Sequence, residues 1–420
     1  MVNVNDFTGL SDNDRIEQAI AARGADGVVV LPPRRADTEP ERDCWLLDRA
    51  ILLPENTTFI LQNSTVKLSD RCRDNFFRTA NCGLGLENPP VIRNVHLRGE
   101  GAATLMGADH PRSTGDGSKV LACPCPYEVD DLCAMADWIP PERRTPETID
   151  FMDRHDHSYG TDAGKPGESQ YGDWRNIGVL FANAVDFSVS GLFISQSHCW
   201  AISLEECSFG RVDNIRFDAC MSRVIDGFRN NIENQDGLDL RNGCHDIIIE
   251  NITGMTGDDV VALTAIAGPD YHPGGSLCST QVMHTDWSRR CRDIYNIVIR
   301  NVVARSELCL LLRLLPAWAH IYNVVADGLI DTTPVGHPHW ATVGLGDGTY
   351  GENPVDGMRS IVLDHVICNG SIGITVAAYL SDSVISHVVN RNPDAPLLEV
   401  AQTDGLKNVS IDGLVDVGKN

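Results

Sequence analysis

The chain has 420 residues, 42% of them hydrophobic and 22% charged, with a formal net charge of −24. That charge argues against nucleic acid and anionic membranes as partners, and no run of about 18 apolar residues occurs to span a bilayer. Fourteen cysteines at irregular spacing, behind an N-terminus "MVNVNDFTGLSDND" with no basic and apolar leader, read as reduced thiols of a cytoplasmic chain; a trimmed N-terminus would make it secreted instead.

In chain order, "SDNDRIEQAIAARG" predicts a capped helix, with Ser11 and Asp14 at capping-box spacing and Gly24 as its stop. "GVVVLPP" predicts a buried strand, and the helix is expected to cover the open end of the sheet that follows. Residues 108–175, with "CPCPYEVDDLC" and "RHDHSYGTDAGKPG", read as a long polar insertion of the kind that usually carries function. Cys123, Cys125 and Cys133 resemble part of a metal cluster, but no fourth ligand stands at zinc spacing, so no metal is expected there.

From Val185 one pattern recurs: a polar residue, a short β-branched or aliphatic run, then Asn, Asp or Gly. It starts at Val185, Val212, His245, Arg292, His320, Arg359, Ser381 and Leu406. Short units that cannot bury an apolar face alone, repeated at a base period of roughly twenty-odd residues with inserted loops, describe a solenoid. The expected fold is all-β: one right-handed, single-stranded parallel β-helix over residues 1–420, with 108–175 and 267–291 as loop insertions near its groove. A third loop is expected from Gly336 to Gly357; its glycines lack the strand-to-helix context of a nucleotide site.

The chemistry concentrates in "NQDGLDLRNGCHDIIIENITGMTGDDVVAL". Asp236 and Asp258 are 22 residues apart, close to one coil. In a parallel stack such residues sit on neighbouring strands about 4.8 Å apart. Asp236, Asp258 and Asp259 would then share one patch, where like charges hold at least one carboxyl protonated as a general acid. Adjacent aspartates meet on one face only at a bend, which Gly257 permits. Asp239 and Asp246 read as turn residues. Trp200, a coil earlier, is either core or a platform for a sugar. His272, His284, His337, His339 and Trp340 fall in loops that could overhang the patch.

"LCLLLRLLPAW", Leu308 to Trp318, sets Arg313 among leucines. Strand alternation puts Leu310, Leu312 and Leu314 toward the core and turns Leu311, Arg313 and Leu315 outward. Arg313 is then expected to pair with Asp259 or Glu307, or to touch substrate.

The aspartate segment resembles glycoside hydrolase family 28, the polygalacturonases, within the pectin lyase-like superfamily. The family signature Asn-Thr-Asp-Gly-Ile-Asp, then Ser-Cys, Ile-Glu-Asn and Gly-Asp-Asp-Cys-Val-Ala-Ile, is matched in order by "NQDGLD", "GC", "IIIEN" and "GDDVVAL". "SHCWAISLEEC" is similar to the family's Pro-Phe-Trp coil, and "DNDRIEQAI" to the superfamily's N-terminal helix. The likeness is sharp only over about 230–265. It implies inverting hydrolysis, with Asp258 as general acid and Asp236 and Asp259 activating water. The substrate-binding candidates are Asn234, Arg313, Trp200 and His284. No cofactor and no metal are expected; the partner is a carbohydrate substrate, and the oligomeric state is open.

Two family motifs fail. Counting without loops puts Arg313 at the arginine of Arg-Ile-Lys, with Leu315 for the lysine. Aligning by strands instead replaces Gly-His-Gly with Glu307–Leu308–Cys309 and moves the Arg-Ile-Lys position to "WATVGLGDG". Either way the histidine and lysine are gone, so the pocket is not built to grip a galacturonate carboxylate. The expected substrate is an oligosaccharide or glycoside other than plain polygalacturonate. Two rivals remain: a calcium-dependent polysaccharide lyase with Arg313 as base, and a non-catalytic glycan-binding β-helix.

Overall fold

The computed structural model describes residues 1–35, 41–70, 72, 74–83, 88–109, 174–197, 199–220, 234–266, 292–337, 339–348, 351–401 and 405–417, and the backbone at 222–225 and 228–231. The insertions expected at 108–175 and 267–291 lie outside the described residues, save their outermost positions, and so do Cys123, Cys125, Cys133, His272 and His284.

The chain is a right-handed, single-stranded parallel β-helix of the pectin lyase-like type. Two long parallel sheets, of 16 and 10 strands among the described residues, run its length. All eight repeats read in the sequence lie on the 16-stranded sheet, in the strands Ala184–Ser190, Ser208–Asp218, His245–Thr256, Ile294–Ser306, Ile321–Asp331, Met358–Cys368, Leu380–Asn390 and Leu406–Asp416. These pair in parallel, each with the next.

Each long strand bends because single residues take positive φ, as Asp246 and Asn251 do within His245–Thr256. Asn, Asp and Gly tolerate that conformation best, which is why the repeats end on them. Between bends, alternate side chains face the axis and stack coil on coil. Val212, Ile249, Ile299, Ala326, Leu363 and Ile385 form one such column, and all are buried. Full burial of each large aliphatic side chain contributes about 1.5–3 kcal/mol, so no coil is stable without its neighbours.

At the N-terminus the helix Asp12–Ala21 carries the capping box, Ser11 accepting from the Asp14 N–H and Asp14 accepting from the Ser11 N–H. It ends at Ala21, before Gly24. Its Ile16, Ala19 and Ile20 join the same core as Val29 and Leu31 of the strand Val28–Leu31, closing the first coil.

The 10-stranded sheet positions the site. Its strands are short: Ile202–Glu205, Leu238–Arg241, Val261–Ile266, Leu312–Ala317 and Val343–Leu345 follow one another. The stretch expected as a loop at 336–357 therefore supplies a coil of its own. The inward column is Leu204, Leu240, Leu263, Leu314 and Leu345. The column beside it is Ser203, Asp239, Ala262, Arg313 and Gly344. Ala262 and Gly344 flank Arg313 in this column, and the space a Cβ on Gly344 would take is filled by Leu310.

Candidate active site

Backbone bonds lock the aspartates on adjacent coils. The Gln235 carbonyl accepts from the N–H groups of Gly257 and Asp258 at 3.1 and 3.3 Å, and the Gly237 N–H donates to the Asp259 carbonyl at 2.8 Å. Gly237 is required here, since a Cβ would lie 2.5 Å from the Val260 carbonyl oxygen. The bend at residues 257–258 is held from both sides, with the hydroxyls of Thr256 and Ser306 donating to the Asp258 carbonyl at 2.6 and 2.8 Å. Asp258 and Asp259 thereby reach one half-open cleft, which Asp236, Asp239, Asn234, Trp200, Ala262, Thr264, Cys309, Arg313 and Leu315 also line.

The four carboxylates differ in setting. Asp258 is partly exposed, while Asp236, Asp239 and Asp259 are buried. Burial, then the charges of Asp258, Asp239 and Asp259, pushes Asp236 well above the usual carboxylate range. Burial does the same to Asp239, with Arg241 opposing it. Asp259 rises to about 7, burial outweighing the pull of Arg313 and the N–H of Leu310. Asp236, Asp239 and Asp259 titrate as one set. Burial and the two neighbouring aspartates also raise the Cys309 thiol far above its ordinary range, so it stays protonated.

Arg313 is the one cation among the described residues lining the cleft, and it is enclosed. Its Nε lies 2.5 Å from Asp259 Oδ2, its Nη1 donates to Asp347 Oδ2 at 3.0 Å, and its guanidinium sits 5.2 Å from the centre of the Trp340 ring. A buried network steadies the Trp340 side of this cage. Asp331 Oδ2 meets His339 Nε2 at 3.0 Å and accepts from the Thr342 hydroxyl at 2.8 Å. The Trp340 N–H donates to the Leu308 carbonyl at 3.0 Å.

Several sequence expectations change. The register pairs Ala262 with Arg313 and Arg313 with Gly344, so Arg313 stands on the coil directly after the aspartates and "WATVGLGDG" on the next, as the strand alignment has it. Arg313 turns away from the axis but is only 8% exposed; pairing, not exposure, satisfies it. Of the partners expected, Asp259 is found, and Asp347 takes the place given to Glu307. Leu311 rather than Leu310 joins the central core, because the strand begins only at Leu312 and the alternation does not reach back through the preceding bend. Asp239 is no turn residue: it sits in the strand Leu238–Arg241, buried, with Oδ2 lacking a hydrogen-bond partner among the described residues. Asp246 is at a bend, with positive φ, accepting from Asn296. Trp200 is 3% exposed, packed in a core cluster with Arg241 4.7 Å from its ring, so it forms the floor and offers no face to a sugar. Asn234 lines the cleft with a left-handed backbone.

No family model and no curated protein matches this chain. Solved structures do. The polygalacturonase of Erwinia carotovora is similar at 14% identity and a TM-score of 0.54, over 99% of this chain and 94% of that one. The exopolygalacturonase of Thermotoga maritima is similar at 16% identity and a TM-score of 0.52, over 100% and 92%. A tailspike of an E. coli bacteriophage, solved with a pentasaccharide, is similar at 14% and 0.54, over 99% and 66%. The fold is thus that of the pectin lyase-like parallel β-helices, and glycoside hydrolases stand among its structural neighbours.

Proposed function

We propose that the chain is an inverting glycoside hydrolase that acts on an oligosaccharide or glycoside other than plain polygalacturonate. Asp258, the most open of the four carboxyls, gives its proton to the glycosidic oxygen as the C–O bond breaks. Asp236 and Asp259 hold a water, whose oxygen bonds to the anomeric carbon while its proton passes to whichever of the two carboxyls is ionised. The proton then returns to Asp258 through solvent, and the net change is addition of one water.

The observation that carries the substrate reading is the enclosure of Arg313 by Asp259, Asp347 and Trp340. A guanidinium committed to two carboxylates has little left for a third, so the described cleft offers no clamp for a uronate. Asn234 contributes neutral hydrogen bonding, and His284 stays a candidate from the sequence. The free, buried thiols of Cys82, Cys207, Cys244 and Cys368 fit a reducing compartment, and on that ground we place the chain in the cytoplasm.

The test follows products by NMR. Hydrolysis with inversion at the anomeric carbon, unaffected by a chelator and without an unsaturated ultraviolet-absorbing product, supports the reading. Chelator-sensitive formation of an unsaturated product would make the chain a lyase. The same Arg313 enclosure disfavours that outcome, since an arginine engaged by two carboxylates is poorly disposed to abstract a proton. Unchanged behaviour of Asp258→Asn in every assay would leave a glycan-binding role.

A further inference from the structure

Away from the cleft, the 16-stranded sheet carries a polar column at one bend. Glu250, Arg300, Asp327, Asp364, Ser386 and Asp412 are in register across successive coils. The residue after each, Asn251, Asn301, Gly328, His365, His387 and Gly413, has φ between 51° and 72°. In the first coils this is an asparagine ladder, with Asn251 donating to Asp213 and Asn301 to Asn251. Asparagine and glycine suit that backbone, so two successive histidines are a departure.

The histidines do more than continue the ladder. His387 Nδ1 lies 2.7 Å from Asp364 Oδ1, as a ladder bond requires. His365 Nδ1 stands between two carboxylates, 2.9 Å from Asp327 Oδ1 and 3.3 Å from Asp364 Oδ2. The two rings are parallel within 9°, their centres 5.0 Å apart. Two imidazole nitrogens and the Asp364 carboxylate therefore converge, all within 4.8 Å of one another, and both histidines are open to solvent, with side chains 63% and 60% exposed.

We propose that His365, His387 and Asp364, with water in the fourth position, form a site for a divalent transition-metal ion of the zinc class. Imidazole with carboxylate is a donor set such ions favour, whereas calcium asks for oxygen alone. Bonds of about 2.1 Å in tetrahedral geometry put ligand atoms about 3.4 Å apart. The 3.3 Å separation of His365 Nδ1 from Asp364 Oδ2 already matches; the 2.7 Å pair opens, and the two imidazole nitrogens on their stacked rings draw in, as the ion replaces the shared proton. A neutral imidazole keeps its proton by moving it from Nδ1 to Nε2; a protonated one releases one proton to solvent.

The experiment titrates the full chain with zinc by calorimetry, and with cobalt(II) for its visible absorption. The wild type should take up one saturable equivalent. The double variant His365→Asn/His387→Asn, whose asparagines can keep the ladder as Asn301 does, should lose it while melting as the wild type does without metal. Asp364→Asn should weaken it, and serves if the double variant fails to fold. Cys309→Ala tests the other cluster of metal-ligating groups among the described residues, Asp258, Asp259 and Cys309; it should leave the equivalent in place. The proposal is overturned if the wild type binds no stoichiometric zinc, if the histidine variant binds it unchanged, or if Cys309→Ala abolishes it.

Discussion

Arg313 and Asp259 face each other across two adjacent coils, guanidinium Nε to carboxylate Oδ2 at 2.5 Å, with both side chains buried. The pair joins the coil that carries Asp258 and Asp259 to the next one. Replacing Arg313 by Leu takes from the buried Asp259 and Asp347 the guanidinium they share. The expected cost is about 3–5 kcal/mol at pH 7.5, and it should shrink toward pH 4.5 as the abandoned carboxylates take up protons. Urea unfolding at the two pH values measures this; an equal cost at both would contradict the pairing.

The carboxylate cluster should make the protein less stable as pH rises. Asp236 and Asp239 lie well above their ordinary range, and Asp259 is at about 7, when folded. Unfolded, each titrates near 3.9. Between those values the folded state binds more protons, so stability falls with increasing pH. For Asp259 the window is about pH 4 to 7. Asp236→Asn removes part of this slope. It should raise stability at pH 7.5 by on the order of 1 kcal/mol or more, give no gain near pH 4, and abolish turnover. A variant destabilised at pH 7.5 and less so near pH 4 would show that Asp236 is needed charged for folding.

Much of the fold is legible in the sequence, because bends in the long sheet demand left-handed residues and Asn, Asp and Gly mark them at each coil. The short sheet leaves weaker marks. Val343–Leu345, only three residues long with Gly344 inside it and Gly346 after it, reads as loop, and with it Asp347 escapes notice, while Trp340 reads only as a loop residue overhanging the patch. Asp239 escapes for a related reason. Its neighbours in "GLDLRNG" look like a turn, and only register with Ala262 and Arg313 reveals the outward column. What the sequence does expose is the pairing of Asp236 with Asp258 and Asp259, since one uninterrupted coil separates them. The enclosure of Arg313 depends on residues from three coils and on a segment, 267–291, that upsets any linear count.

Trp340 caps the Arg313 guanidinium from the rim of the cleft. Trp340→Ala removes a partly exposed cation–π contact worth about 0.5–1 kcal/mol. Stability should change by no more than that. Turnover should fall several-fold as Arg313 and, through it, Asp259 lose their fixed position, with kcat affected more than KM. A change confined to KM would instead make Trp340 a binding surface for the sugar.

The Cys309 thiol is beside Asp258 and Asp259, and its raised pKa denies it thiolate character. Iodoacetamide at pH 7.5 should leave the peptide containing Cys309 unmodified in the folded protein, as read by mass spectrometry, and modify it in urea. Rapid labelling in the folded state would mean that the cleft is far more electropositive than its four carboxylates allow.

The proposed function rests on a cleft that gathers four carboxylates and whose one cation among the described residues is already paired. A reducing-sugar screen across polygalacturonate, digalacturonate and a panel of neutral and substituted oligosaccharides tests this most directly, with Asp258→Asn as the blank. Release from a neutral or differently substituted sugar, lost in the variant and exceeding any release from galacturonate substrates, is the predicted result. Polygalacturonate or digalacturonate emerging as the best substrate would contradict it.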